Sequence, residues 1–422
     1  MANDYTKIAL QLQRHKSVQG IMKYVNKESL MEQHRKQDKK KATGIDKVTK
    51  EQYGEELNEN IEKLLGRMKQ FGYKPQAVRR TYIPKTGSKD LRPLGIPAYE
   101  DKLVQGVMAE ILNEIYEPIF LDNSYGFRPK RDCHMAIKEL NNIIKTKRIN
   151  YVVDADIKGF FENVDHEWMT KFLEHIIQDK TFIRYIVRFL KAGIMEELKK
   201  YESDKGTPQG GLISPILSNI YLHYVLDLWF EKEIKANCKG EAYMIRYADD
   251  FVSCFEKEEE AKEYYDKLKE RLAKFKLEVA EDKSKIIKFG KSNGNSKDKF
   301  DFLGFTHQNG INRKGYYKLV YLTSNKKLTA KKQAVKQWLK ENIQLPPHEL
   351  IKKLNVKLTG HYRYYGITHN SKRMYNFRNY IILELFKGLR RRSQKHKMTV
   401  ERYKKILKYN PIATPRIYVP LW

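Results

Sequence analysis

The stretch Ala242-Tyr243-Met244-Ile245-Arg246-Tyr247-Ala248-Asp249-Asp250-Phe251-Val252-Ser253-Cys254-Phe255 decides how the chain is read. β-forming residues flank Tyr247-Ala248-Asp249-Asp250, so the stretch predicts a tight hairpin that presents two adjacent carboxylates at its tip. An Asp-Asp pair alone is usually a solvated turn. A second β-rich run well upstream, Tyr151-Val152-Val153-Asp154-Ala155-Asp156-Ile157-Lys158-Gly159-Phe160-Phe161, raises its meaning. Two-residue periodicity puts Asp154 and Asp156 on one strand face.

Two strands that deliver three carboxylates to one point suit nucleotidyl transfer. A 3′-hydroxyl attacks an α-phosphate and pyrophosphate leaves. In such sites one cation activates the attacking oxygen and a second neutralises the leaving group, roughly 3.5–4 Å away. Magnesium takes oxygen ligands and combines a few carboxylates with waters and substrate phosphates. Two Mg2+ ions are therefore the expected cofactors.

Composition points to a nucleic-acid partner on separate grounds. The chain carries 82 Lys+Arg against 52 Asp+Glu, a net charge of +30, and its pI is about 9.6. Residues 321–422 hold 24 Lys+Arg and 4 acidic residues, so +20 of the charge lies in that last quarter and +10 in the first 320 residues. Tyr362, Tyr364, Tyr365, Tyr375, Phe377 and Tyr380 interleave with those cations. A one-signed segment with aromatics fits a surface that grips phosphates and packs on sugars or bases. No stretch reads as a transmembrane span or signal peptide, so no membrane partner is expected and a bacterial cytoplasmic, nucleoid-associated location is. Cys133, Cys238 and Cys254 are far apart, as reduced thiols of a cytosolic protein would be. The eleven histidines show no paired metal spacing, which argues against a zinc module.

Helical periodicity is expected in residues 1–40, 50–70, 100–120, 131–147, 166–200, 213–232 and 257–276, and in nearly everything from about 328 onward. Leu103, Val104, Val107, Met108, Ile111 and Leu112 form the apolar face of the 100–120 helix. A strand is expected through Val78–Ile83, with a return at Leu91–Pro97 beyond a Thr86-Gly87-Ser88 loop. Pro208-Gln209-Gly210-Gly211 reads as a turn whose glycines permit close backbone approach. Ser214-Pro215 then opens a helix with Ser214 as its cap. Lys291–Lys299 is the expected mobile loop. The fold class is α+β, an antiparallel sheet backed by helices.

Eight blocks in order carry a family resemblance. They are Gly44-Ile45-Asp46, Ile83-Pro84-Lys85, Arg92-Pro93-Leu94-Gly95-Ile96-Pro97, Ser124-Tyr125-Gly126-Phe127-Arg128-Pro129, Asp156-Ile157-Lys158-Gly159-Phe160-Phe161, Gly206-Thr207-Pro208-Gln209-Gly210-Gly211, Tyr247-Ala248-Asp249-Asp250 and Phe302-Leu303-Gly304-Phe305. With them the chain resembles the group II intron reverse transcriptases, or maturases. The resemblance implies a right-hand polymerase. A helical extension would cover 1–42, fingers and palm 43–312, a helical maturase-type thumb 313–394, and a short basic tail 395–422.

By that resemblance Asp156, Asp249 and Asp250 are the catalytic carboxylates, and with Ile157 they form the metal set. Asp154 stays a rival to Asp156. Lys283, with Lys285 as its rival, would protonate departing pyrophosphate. Lys85, Arg92, Phe161 and Gln209 would bind the deoxynucleoside triphosphate, Phe161 closing off the sugar 2′ position; the bland alternative makes Phe161 core. Tyr125, Arg128, Gly210, Gly211, Tyr247, Arg363, Arg390 and Arg391 would contact template and primer. Arg131 would join them, and Arg128 has the alternative of holding the fold together by a salt bridge. Lys395, His396 and Lys397 extend the basic face.

Implied partners are group II intron RNA or another structured RNA template, a DNA primer or target, deoxynucleoside triphosphates, and a second copy of the chain. The expected function is RNA-directed DNA synthesis that copies an intron and aids its splicing during retrohoming. Two alternatives stay open: an intron-free polymerase of the same descent serving defence or repair, and a splicing cofactor without catalysis. Many relatives carry a C-terminal endonuclease with His and Cys-pair motifs. None occurs here, so second-strand cleavage is not expected, and insertion would need a primer from elsewhere.

Overall fold

A computed structural model of the chain describes residues 5–84, 91–196, 199–201, 205–206, 210–294, 296–392 and 398–421. Helices and sheets are mixed, so the α+β class holds. The chain folds as two compact units, one of Met1–Pro84, Asp90–Ala136 and Val153–Ile286, the other of Lys85–Lys89, Ile137–Val152 and Ile287–Trp422.

The first unit opens with short helices. Thr6–His15 ends at Lys16, and Lys27–Lys36 starts at an Asn26–Ser29 capping box, so the expected single 1–40 helix is broken between them. Lys50–Glu55 starts at a Thr49–Gln52 capping box, and Leu57–Lys69 follows. The Gly44-Ile45-Asp46 block lies between the helices Lys27–Lys36 and Lys50–Glu55 and is pinned by several contacts. Asp46 accepts the Tyr99 amide at 2.7 Å, Lys102 donates to the Ala42 carbonyl at 2.6 Å, and a Cβ on Gly44 would meet the Pro97 carbonyl oxygen at 2.4 Å. A glycine is required there because backbone touches backbone.

The helix Tyr99–Tyr116 runs through the core of this unit. Its expected apolar face, Leu103 to Leu112, is wholly buried. Each such side chain contributes about 1.5–3 kcal/mol of burial.

Two sheets complete the unit. Strands β1 (Val78–Pro84), β2 (Leu91–Ile96), β4 (Ile194–Glu196) and β5 (Lys199–Tyr201) pair in the order β2-β1-β4-β5. Strands β3 (Tyr151–Ala155), β6 (Ala242–Tyr247), β7 (Asp250–Phe255) and β8 (Lys285–Lys288) pair in the order β6-β7-β3-β8. The first sheet corrects the expectation of a purely antiparallel arrangement, because β1 pairs with β4 in parallel, Val78 opposite Ile194. The expected 166–200 helix is corrected as well. It is two helices, His166–Glu174 and Lys180–Leu190, the second capped by Asp179, after which the chain turns into β4. Helix Ser214–Leu222 starts one residue earlier than expected, with Ile213 at the cap position and Pro215 in the first turn.

In the second unit, β9 (Lys299–Phe302), β10 (Phe305–Ile311) and β11 (Tyr317–Thr323) form an antiparallel sheet in the order β11-β10-β9. The sheet ends at Thr323 and the helical segment begins at Asn325, close to the change expected near residue 328. Residues Lys291–Asn293 of the expected mobile loop form a helical turn, and the Asn293 amide side chain donates to the Asn150 carbonyl at 3.0 Å.

Four helices follow: Asn325–Asn342, Pro347–Tyr365, Ser371–Arg391 and Val400–Tyr409. Leu350, Leu354, Leu358 and Tyr362 from the second of these, and Phe377, Ile381, Leu385 and Leu389 from the third, build their shared core. Their 3–4-residue spacing is the apolar stripe that marks a packed helix. The expected tail is also tied down. The Tyr418 and Val419 amides donate to the Gly366 carbonyl at 2.7 and 3.0 Å, and Arg378 donates to the carbonyls of Ile412 and Ala413.

Candidate active site

The predicted hairpin is present. β6 and β7 pair from Ala242 opposite Phe255 to Tyr247 opposite Asp250, leaving a two-residue loop, Ala248-Asp249. Ala248 has φ 58° and Asp249 is not among the residues of positive φ. A positive φ at the first loop position alone is the type II′ pattern, which normally takes glycine there. Ala248 therefore holds a left-handed conformation that costs an alanine energy, and the surroundings must enforce it.

They do so through Arg246, which is fully buried. Its guanidinium donates to both Asp227 oxygens at 2.7 and 2.6 Å, to Asn219 Oδ1 at 3.0 Å, to Ser124 Oγ at 2.7 Å and to the Ala248 carbonyl at 2.9 Å. Asp227 is equally buried. Asn219 in turn donates to the Gly126 carbonyl at 2.7 Å. A Cβ on Gly126 would meet the Ala248 amide nitrogen at 2.2 Å, so this glycine lets a second backbone lie directly on the turn.

Asn219 and Asp227 share a face because the helix from Ser214 runs on into a π stretch, His223–Asp227. At 3.6 residues per turn the two would sit roughly 80° apart around the axis. At about 4.4 residues per turn over the π stretch the offset falls to roughly 10°. The beginning of this helix is positioned too, since the buried Gln105 accepts the Leu212 amide at 3.0 Å.

Asp249 is partly buried, and burial first, then the negative charge of Asp156, pushes its carboxyl above the usual carboxylate range. Arg92 and Arg246 pull the other way. Asp156 and Arg92 thus lie within electrostatic reach of Asp249. Asp156 follows the end of β3; its amide donates to Ser284 Oγ at 3.3 Å, and its Oδ2 faces the Lys283 ammonium at 3.3 Å. Asp250 is exposed at the start of β7, and Asp154 is partly buried on β3.

Ile157 can offer a cation only its carbonyl. It bridges Val279, and the flanking bonds belong to Asp156, whose carbonyl accepts the Ala280 amide, and to Lys158, whose amide donates to Glu278. In an antiparallel pair that pattern turns the carbonyl of the middle residue away from the partner.

Among the described residues no three His, Cys, Asp or Glu side chains converge into a metal-holding cluster. Like charges drive carboxylates apart unless a cation offsets them. Burial and the neighbouring Asp156 charge both disfavour an ionised Asp249, an imbalance that a cation held by oxygen donors would relieve.

The other expected site residues fall into separate groups. Phe161 sits on the short helix Phe160–Asn163, partly exposed, while its neighbour Phe160 takes the core position. Gly206 lies on the Phe161 backbone, where a Cβ would meet the Phe161 carbonyl oxygen at 3.0 Å. Arg92 is exposed on β2, opposite Ile83. Gly210 has φ 110°, and a Cβ there would meet the Gly95 carbonyl oxygen at 2.6 Å, so its freedom serves contact with β2. Gly211 is buried, and its carbonyl accepts the Ser214 amide at 3.3 Å. Lys85, Pro208, Gln209, Lys395, His396 and Lys397 lie outside the described residues.

Tyr125 is buried beneath Arg131, and Tyr247 is half-buried with its hydroxyl pKa raised by burial. Arg128 has the fold-holding one of its two expected roles. It is buried, pairs with Glu117 at 2.9 Å and donates to the carbonyls of Leu121 and Ser124. Arg131 likewise pairs with Asp122 at 2.6 Å. In the second unit, Arg363, Arg390 and Arg391 are exposed.

The residues that sequence reasoning passed over are Ser124, Asn219, Asp227 and Arg246. Asn219 and Asp227 had a signal, since each is a polar residue inside an apolar run and such residues are buried only with partners, whereas Ser124 follows Asp122 and Asn123 and had none.

Residues 83–307, over half the chain, match the family described as reverse transcriptase (RNA-dependent DNA polymerase), and the chain belongs to it. Residues 328–409 match the maturase-specific domain of group II introns. The chain is 46% identical over 165 residues to the group II intron-encoded protein LtrA of Lactococcus lactis subsp. cremoris, covering 39% of this chain and 27% of LtrA. It is 34% identical over 238 residues to the protein YkfC of Escherichia coli K12, covering 50% of this chain and 62% of YkfC. A putative COX1/OXI3 intron 1 protein of Saccharomyces cerevisiae is 37% identical over 172 residues, covering 40% of this chain and 20% of that protein. The matched stretch thus spans about a quarter of LtrA and less than two thirds of YkfC.

Proposed function

We propose that the protein is an RNA-directed DNA polymerase that binds group II intron RNA, aids its splicing and copies it. The observation that carries this reading is the hairpin that sets Asp249 and Asp250 at its tip, with the Asp249 carboxyl raised first by burial and then by the charge of Asp156. Two Mg2+ ions, when bound by Asp156, Asp249, Asp250 and the Ile157 carbonyl, would supply activation of the attacking oxygen and neutralisation of the leaving group.

The chain's own residues do the rest. Arg92 holds the triphosphate, with Lys85 and Gln209 as the further expected contacts. Phe161 packs against the sugar at its 2′ carbon. Tyr247 and the Gly210-Gly211 turn are the expected lining of the template and primer path, and Tyr125, buried beneath Arg131, supports that path rather than facing it. As the new oxygen–phosphorus bond forms and the bond to pyrophosphate breaks, Lys283 gives its proton to the departing pyrophosphate. The right-hand arrangement, with β1 and β2 in the fingers and β3, β6 and β7 in the palm, is part of the same reading. So is a thumb built from the helices after residue 325, with Arg363, Arg390 and Arg391 on phosphates. The maturase-domain match supports intron RNA as the nucleic acid held there.

The test is extension of a DNA primer on an RNA template with the four deoxynucleoside triphosphates and Mg2+. Templated extension that stops with a chelator, and is lost in Asp249→Ala while RNA binding persists, supports the reading. Absence of extension by the wild-type chain overturns it. Sequencing RNA that co-purifies from the native cell tests the intron part: one dominant species containing this reading frame is expected, and a diffuse population removes the splicing role.

A further inference from the structure

The reaction assigned above depends on where the Asp249 carboxylate points, and that direction is set by a turn in a conformation alanine does not favour. Two features enforce the turn from opposite sides. The Arg246 guanidinium holds the Ala248 carbonyl at 2.9 Å, and its remaining donors are anchored on Asp227, Asn219 and Ser124. The backbone at Gly126 rests on the Ala248 amide, held there by Asn219 through the Gly126 carbonyl.

We propose that Arg246 is a positioning residue for the reaction, its buried guanidinium clamping the Ala248 carbonyl against the Gly126 backbone and so fixing the direction of Asp249. This rests on the polymerase reading and adds to it a part for side chains that touch neither nucleotide nor template. A buried Arg–Asp pair by itself stabilises little over an apolar pair of the same shape. The geometry here has a further product. Only a planar, multiply donating cation reaches a carboxylate, an amide, a hydroxyl and the turn carbonyl at once. Lysine keeps the charge opposite Asp227 and cannot make the other contacts together.

The experiment compares Arg246→Lys and Gly126→Ala with Tyr185→Phe, a control that removes a buried hydrogen bond to the Met68 carbonyl on helices away from the turn. For each variant kcat, the deoxynucleotide KM, the template–primer Kd and the thermal midpoint are measured. For both turn variants kcat should fall tenfold or more, with KM and Kd within about twofold. Tyr185→Phe should lose thermal stability with kcat within about twofold. A wild-type kcat in a folded Arg246→Lys overturns the proposal, as does a loss of kcat that simply tracks the thermal midpoint across all three variants. If Arg246→Lys does not fold, Gly126→Ala decides by the same criterion, because it leaves the ion pair whole. Asp249→Asn in the same assay separates the two claims. Extension that survives Asp249→Asn sinks the polymerase reading itself. A dead Asp249→Asn beside a fully active Arg246→Lys sinks only the positioning role.

Discussion

The place Asp249 occupies disfavours its ionised form, and the cost can be measured. Burial and the charge of Asp156 raise its folded-state pKa above the ordinary 3.8. A carboxyl whose folded pKa exceeds its unfolded value costs stability wherever it is ionised, and the cost disappears once both states are protonated. Asp249→Asn should therefore melt higher than the wild type at pH 7 without divalent cations, and the gap should close as pH falls through the carboxylate range. A variant that melts lower at pH 7 would show the carboxylate to be a stabilising partner. Phe161 makes a second case. Its neighbour Phe160 fills the core, while the Phe161 ring is partly exposed and packs edge-on against it, so the proposed contact with the sugar can be tested apart from folding. Phe161→Ala should raise ribonucleotide use relative to deoxynucleotide use by tenfold or more, with a stability loss well under the 3–5 kcal/mol of a core Phe→Ala. Unchanged sugar selection returns the ring to a packing role. Asp249 was legible because a second β-rich run, Tyr151 to Phe161, supplies further carboxylates, and Phe161 only through its place in the family's motif. Arg246 was not, because a single cation in a β-rich run looks the same whether it is solvated or anchored, and its anchors come from positions 124, 219 and 227.

Periodicity served well for elements that bury one face and poorly where backbone chemistry ends an element. The helix at 99–116 followed from spacing alone, and the helical character of the chain from about 328 onward was expected as well. The break at 174–180 depends instead on the Asp179 cap, and the turn into β4 on pairing with β1, which no local pattern announces. The β9–β11 sheet was hidden by its polar composition and by the weight of charge downstream. Gly366 belongs to this class of backbone detail. A Cβ there would meet the carbonyl oxygens of Tyr362 at 2.4 Å and Arg416 at 2.5 Å. Gly366→Ala should cost about 1–3 kcal/mol through forced displacement. It should also release the strap that pairs Tyr418 and Val419 with residue 366. Hydrogen exchange at those two amides is the measure: faster exchange is expected, and unchanged protection would mean that the strap is held by its other contacts alone.

Charge distribution is the property of the whole chain that bears most directly on its partner. Of the net +30, residues 321–422 supply +20, and the described cations of that segment include the exposed Arg363, Arg390 and Arg391. Arg390 and Arg391 close the helix Ser371–Arg391, whose opposite face is the apolar stripe of the helical core. That core can therefore tolerate loss of the three guanidinium groups, which separates binding from folding in a test. Each phosphate contact releases condensed counterions, so log K should fall linearly with log salt, by about 0.7 per contact on single strands and 0.9 on duplex. Titrating a structured RNA from 50 to 200 mM salt should give a steep line for the wild type. The triple variant Arg363→Gln, Arg390→Gln, Arg391→Gln should give a slope shallower by about 2–3 at an unchanged thermal midpoint, since three contacts would be lost. An unchanged slope in the folded triple variant would remove these arginines from the RNA interface and move the grip to other cations. A flat wild-type line would deny phosphate contact as the source of binding altogether, and with it the part assigned to the basic helical segment.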